Sequence, residues 1–230
     1  MSKRTQTLRW FLKWLQLSSL LLLLSIRGQA QAPELGLWTG VNLEKRLSRS
    51  FALHLNGQLR YSENVTVRRA MLGEVGLSYK LVKHLELTGY YRYTARRKFD
   101  EDTYAYSYKP YHRFYADLSY DRKVGPFKLD YRLRYQNQFK DDVSGLETDK
   151  SCLRNKLELA WPNASRFTPY VSTDIFYRLG EGFDQLRNKV GVSIEVTRHQ
   201  KLDLFGFTDY QLIDRQKNQL LLGVTYRVKF

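Results

Sequence analysis

A single cysteine, Cys152, stands in the 230 residues of this chain. An internal disulfide is therefore impossible, and the thiol reads as a tolerated strand residue. Beyond residue 30 no apolar run approaches the ~18 residues that would mark a spanning helix, which excludes a bundle of membrane helices. No helical periodicity, low-complexity linker or second domain breaks the remainder. Motifs that carry chemistry are missing as well. There is no Gly-x-Ser-x-Gly, and no His/Cys/Asp cluster has metal spacing. His54, His84, His112 and His199 sit in no catalytic pattern, with His84 and His199 in tight turns. The expectation is a protein without catalytic residues, metal or cofactor. If the chain were instead a lipid-modifying enzyme, His112, beside Arg113 at the start of a strand, is the best-placed base. Asn64-Val65-Thr66 and Asn163-Ala164-Ser165 read as turns, not glycan sites.

What is present begins with an export signal. Lys3, Arg4, Arg9 and Lys13 form a basic region, an apolar stretch runs from Leu15 to Ile26, and Gly28-Gln29-Ala30 offers a small-x-small cleavage site. Cleavage is expected after Ala30, leaving residues 31–230 as one domain. Removing residues 1–30 takes away five basic residues and no acidic one, so the formal charge of +15 falls to about +10. An exported chain rarely meets nucleic acid, so anionic lipid headgroups are the expected partner of that excess.

The mature chain alternates with period two almost throughout. Phe51, Leu53, Leu55, Gly57, Leu59 and Tyr61 face one way; Ala52, His54, Asn56, Gln58 and Arg60 face the other. Phe127–Gln136, Lys189–Thr197 and Leu220–Phe230 repeat the pattern. Successive strand side chains point to opposite faces, so each segment has one apolar and one polar side. About eleven such segments are counted, at roughly ten residues each. They begin near Leu35, Phe51, Ala70, Leu85, His112, Phe127, Cys152, Phe167, Leu186, Leu202 and Gln219. Tight connections alternate with longer ones, the latter including Ala95–Lys109 and Asn137–Ser151. That rhythm predicts an all-β, antiparallel, up-and-down transmembrane barrel of about 10–12 strands, with turns in the periplasm and loops outside. Aromatics near strand ends suit interfacial girdles: Trp38, Tyr61, Tyr79, Tyr91, Tyr93, Tyr111, Tyr120, Trp161 and Tyr177. Tyr226-x-Val228-x-Phe230 resembles the signal that outer-membrane barrels present to their insertion machinery. Even strand numbers are the rule for bacterial single-chain barrels, so ten wall strands are expected, with Leu35–Leu43 outside the wall. A soluble exported β-sandwich that binds a ligand is the rival architecture.

Leu37-Trp38-Thr39, Gln58-Leu59-Arg60-Tyr61, Gly89-Tyr90-Tyr91-Arg92-Tyr93 and His112-Arg113 resemble an uncharacterised outer-membrane barrel family. So do Tyr131-Arg132-Leu133-Arg134-Tyr135, Leu153-Arg154-Asn155-Lys156 and Thr168-Pro169-Tyr170. The family is the one filed as domain of unknown function twenty-four-ninety. The resemblance implies a barrel in the outer membrane of a Gram-negative bacterium, and no catalytic residues.

The polar faces carry interleaved charge. Arg92, Arg113, Arg132, Arg134, Arg154, Lys156 and Arg187 stand among Asp117, Asp130, Glu158, Asp174 and Glu195. In a barrel these point inward, where each charge must pair or stay hydrated. Arg132, Arg134, Arg154 and Lys156 are expected to pair across the wall with Asp130 and Glu158. The result would be a largely occluded lumen, structural or with a narrow, porin-like, anion-preferring path. Arg68-Arg69 and Arg96-Arg97-Lys98 fall on the loop side, where lipopolysaccharide phosphates would lie.

Overall fold

The computed structural model describes residues 35–101, 104–142, 145–213 and 220–230. The expected signal segment and its cut after Ala30 lie outside the described residues. The alternating segments form eleven strands: β1 Leu35–Arg46, β2 Phe51–Ser62, β3 Val67–Val82, β4 Leu85–Asp100, β5 Ala105–Val124 and β6 Phe127–Asp142. β7 Gly145–Ala160, β8 Phe167–Arg178, β9 Gly182–Thr197, β10 Gln200–Gln211 and β11 Leu220–Lys229 complete the set. Each strand pairs antiparallel with its neighbours in sequence, and β1 closes on β11 to make a continuous barrel. Closure removes both sheet edges and excludes a two-sheet sandwich.

The wall turns its apolar positions outward. Val41, Leu55, Val75, Leu87, Val171 and Val190 are all exposed on the exterior. A soluble surface does not carry so continuous an apolar band, whereas lipid demands one. The polar positions of the same strands face the interior.

The first strand corrects the expected count. Leu35–Leu43 lies within the wall, bonded antiparallel to β2 and parallel to β11, with Leu35 opposite Leu220 and Leu43 opposite Val228. An all-antiparallel barrel needs an even number of strands. One parallel seam lifts that requirement, because a parallel ladder satisfies backbone groups as fully as an antiparallel one. Phe230 extends the seam: its N–H donates to the Glu44 carbonyl, and its own carbonyl accepts from the Arg46 N–H.

Two expected loops are largely strand. β4 and β5 stay paired from Ala95–Pro110 to Asp100–Ala105, and β6 and β7 from Asn137–Ser151 to Asp142–Gly145. Hydrophobic alternation marks only the part of a strand that needs one apolar face. Past the lipid the ladder continues without it. The tight connections gather at the opposite end. Ser48 Oγ accepts from the Ser50 and Phe51 N–H groups, and Asn163 Oδ1 accepts from the Ser165 N–H at 2.8 Å, an Asx turn. The two ends are the loop end and the turn end, although their connections overlap in length: three residues join β8 to β9 at the loop end, and six join β7 to β8 at the turn end.

The seam can be tested by cross-linking. Thr39 and Val224 are partners across it and both face outward. A T39C/V224C variant should form an intramolecular disulfide on mild oxidation, visible as a mobility shift reversed by reductant. Failure to cross-link in folded protein would put β1 back outside the wall.

Candidate functional site: a charged chamber inside the barrel

Interior positions follow from strand parity. Arg92, Arg113, Asp117, Asp130, Arg132, Arg134, Arg154, Lys156, Glu158, Asp174, Arg187 and Glu195 all fall on inward positions of their strands. Glu195 is exposed near the turn end, and Asp130 lies near the same end beside Lys128, 2.8 Å away. The others stand deeper.

The pairing differs from the sequence expectation. The β6–β7 register sets Arg134 opposite Arg154, Arg132 opposite Lys156 and Asp130 opposite Glu158, like against like. Such opposition is unfavourable unless each member finds its counter-charge elsewhere. The counter-charges come from the flanking strands. Arg134 of β6 makes a two-pronged bond to Asp117 of β5, at 2.6 and 2.7 Å. Arg154 of β7 bonds Asp174 of β8 at 2.8 Å. Lys156 reaches along its own strand to Glu158 at 2.6 Å. Across β5–β8 the signs therefore run acid, base, base, acid. Other bases pair likewise: Arg92 with Glu74, Arg227 with Asp203, and Arg187 with both carboxylate oxygens of Asp209.

Three of the deeper cations break the rule, and one of them is Arg113, which bonds the Gln138 amide oxygen. Arg60 donates to Gln58 Oε1 at 2.8 Å and lies 3.7 Å over the Trp38 ring, with no carboxylate in ion-pair range among the described residues. Lys189 Nζ sits 4.1 Å over Phe205, likewise without a carboxylate partner among them.

These side chains surround a cavity of about 440 Å³. Ten bases and five carboxylates line it. The cavity reaches Glu44 and Lys229 at the turn end. Toward the loop end it stops at a packed layer that does not line it: Gln136, Gln138, Tyr111 and Cys152 are all buried there, Gln138 to 2% exposure. Gln138 is held by Arg113 and itself donates to Asp149. The chamber thus runs from the turn end up to Trp38 and Arg60 on β1 and β2, and stops short of the packed layer on β5–β7. Aromatics fold against its wall because the directly opposite residue is glycine. A Cβ at Gly76 would overlap the Tyr90 ring, and one at Gly223 would overlap Phe205.

Sequence reasoning placed Trp38 and Tyr111 in the interfacial girdles. Both point inward: Trp38 lines the cavity, and Tyr111 is buried beneath the Arg96 guanidinium. Phe205, Phe207 and Asp203 were missed as interior residues. Parity could have found them, since they oppose Leu202 and Leu204 on one strand. His54, which sits in no sequence motif, has its Nε2 3.0 Å from Ser78 Oγ across β2–β3. Ser78 is buried and its hydroxyl is directed to the Ala52 carbonyl, so it is no exposed nucleophile.

The exterior holds the remaining candidates. Arg68 and Arg97 face outward, stacked over Tyr108 and Tyr106. Arg96 and Lys98 take inward positions, and Arg69 sits at the irregularity where β2–β3 shifts register. The basic runs are thereby split between two surfaces. His112 faces outward too, its Nδ1 2.8 Å from the Tyr91 hydroxyl and its Nε2 4.0 Å from Asp141. Tyr226, Val228 and Phe230 face outward on the closing strand.

A closed wall of this height, apolar outside and ion-paired within, is an outer-membrane-type β-barrel. The chain belongs to the family described as "Protein of unknown function (DUF2490)", whose model matches residues 35–221. All but the closing strand falls within that match. Among solved structures, the chain is similar to the β domain of the Bordetella autotransporter Brka, at 10% identity and a TM-score of 0.53. That likeness covers 80% of this chain and 86% of that one, and it concerns the fold alone. No curated protein matches at a significant level.

The ion pairs should rank by burial. Asp117 and Arg134 side chains are each 5% exposed, while Lys156 and Glu158 are 19% and 21% exposed. Asp117→Ala should cost about 3–5 kcal/mol, because it strands a buried guanidinium. Glu158→Ala should cost less, and Lys45→Ala least. Thermal unfolding in detergent checks the order.

Proposed function

We propose that this chain is exported behind a cleaved signal peptide and resides in the outer membrane as a non-conducting barrel. Its interior serves as a binding chamber for small anions, entered from the turn end. The observation that carries this reading is the chamber's lining of ten bases against five carboxylates, with a packed layer on β5–β7 above it. A narrow cavity with excess positive charge favours anions, because the low-dielectric wall concentrates the field inside it. With turns on the periplasmic side, as is usual for such barrels, the turn end of the chamber faces the periplasm. No bond-breaking step is proposed for it.

The same placement suits the other partners. Arg68 and Arg97 would meet lipopolysaccharide phosphates just beyond the lipid. Tyr226, Val228 and Phe230 would present the ending that insertion machinery recognises.

A second reading rests on one exterior observation. His112 stands between a tyrosine hydroxyl and Asp141 on the lipid-facing surface, where a lipid-modifying enzyme would place a base. Two measurements separate the readings. Planar-bilayer recordings should give little or no steady conductance from the folded protein; a large, stable, cation-selective conductance would defeat the chamber. Purified protein should release no fatty acid from phospholipid micelles; release that is abolished by His112→Ala would favour the enzyme.

A further inference from the structure

The chamber has two unlike sides. Of the β6 and β7 bases that line the cavity, Arg134, Arg154 and Lys156 each have a carboxylate of their own, and Arg132 shares Asp117 at 3.7 Å. On β1 and β10 three rings enter the wall, flanked by the polar inward faces of β2 and β9. Trp38 meets Phe207 edge-on, with ring centres 4.7 Å apart, and Phe205 stands next to Phe207 at 6.1 Å. Over these rings lie two of the cations that lack a carboxylate, Arg60 on Trp38 and Lys189 on Phe205. Both line the cavity together with the three rings.

Phe207 is buried, so the ring surface open to the cavity is that of Trp38 and Phe205. Such apolar surface is poorly solvated, and a half-buried cation without a counter-charge is more so. One kind of guest relieves both at once. We infer that the chamber takes a small organic anion with a planar apolar body, such as an aromatic carboxylate. Its carboxylate meets the Arg60 fork and Lys189, and its body lies against Trp38 and Phe205, with Phe207 packed behind them. This rests on the anion-chamber reading and names the guest class for the same site. Guanidinium and carboxylate are geometrically matched for a two-pronged bond. A cavity of about 440 Å³ lies within the range of small-molecule sites. An inorganic anion would satisfy the cations but leave the rings wet. A neutral aromatic would cover the rings but leave both cations unpaired.

Calorimetric titration of the whole folded protein in detergent tests this with four probes: benzoate, acetate, inorganic phosphate and benzyl alcohol. Benzoate should bind about tenfold or more tightly than each of the other three. Arg60→Gln and Lys189→Met should each weaken benzoate by about tenfold or more, while Arg122→Gln at the turn end of β5, outside the cavity lining, should leave it unchanged. Retained heat-modifiable gel mobility checks that the variants fold, and Lys189→Met carries the test if Arg60→Gln does not. Equal binding of benzoate, acetate and phosphate would overturn the organic guest but keep the anion chamber. Benzyl alcohol binding as tightly as benzoate would overturn the role of the two cations. No binding of any anion would overturn both readings.

Discussion

Every backbone donor and acceptor in a membrane-spanning wall must find its partner within the wall, because lipid offers none. That constraint organises this molecule. It forces closure, and closure with eleven strands forces one parallel seam between β1 and β11. It also sorts the side chains. With the backbone fully engaged, one face of each strand meets lipid and the other meets the interior, and the two-residue period becomes a division between apolar and charged.

Interior charge then sets its own requirement. A barrel of this width cannot hydrate every inward side chain as bulk water would. The bases of β6 and β7 face one another across the ladder and are held by acids on β5 and β8. The arrangement fastens four consecutive strands by bonds that run across the wall rather than along it. On the opposite side Asp203 and Asp209 still hold Arg227 and Arg187, but Arg60 and Lys189 rest on ring faces instead. The interior is thus asymmetric around its circumference as well as along its axis.

The barrel was legible because period-two alternation is local: each segment such as Phe51–Tyr61 carries its own signal. The strand ends were less so. Toward the loop end of β4 and β5 the outward face is mixed, with Arg97 among Phe99, Tyr106 and Tyr108, and the intervening charges and turn-forming residues read as a loop. The inward placement of Arg134, Arg154 and their neighbours was readable from parity. Their partners were not, because register is a property of two strands, and one residue of slip exchanges a favourable opposition for an unfavourable one. Trp38 was misplaced for a different reason. Its position near a strand end suggested a membrane interface, while its parity with Asn42 and Glu44 pointed inward. Position along the strand outweighed parity where parity was the stronger guide. The parallel seam had no local signature at all.

An odd strand count also separates the two ends of the barrel domain. Leu35 begins β1 at the loop end, and Phe230 closes β11 at the turn end. In an even-stranded barrel both ends emerge on the same side and a short linker can join them. Here a linker would have to run the full height of the wall, ~30 Å, through the lumen or along the lipid. Circular permutation by simple end-joining is therefore closed to this fold. Reporter peptides fused ahead of Leu35 and after Phe230 would lie in different compartments, which makes the domain a natural carrier for labels on opposite faces of one membrane.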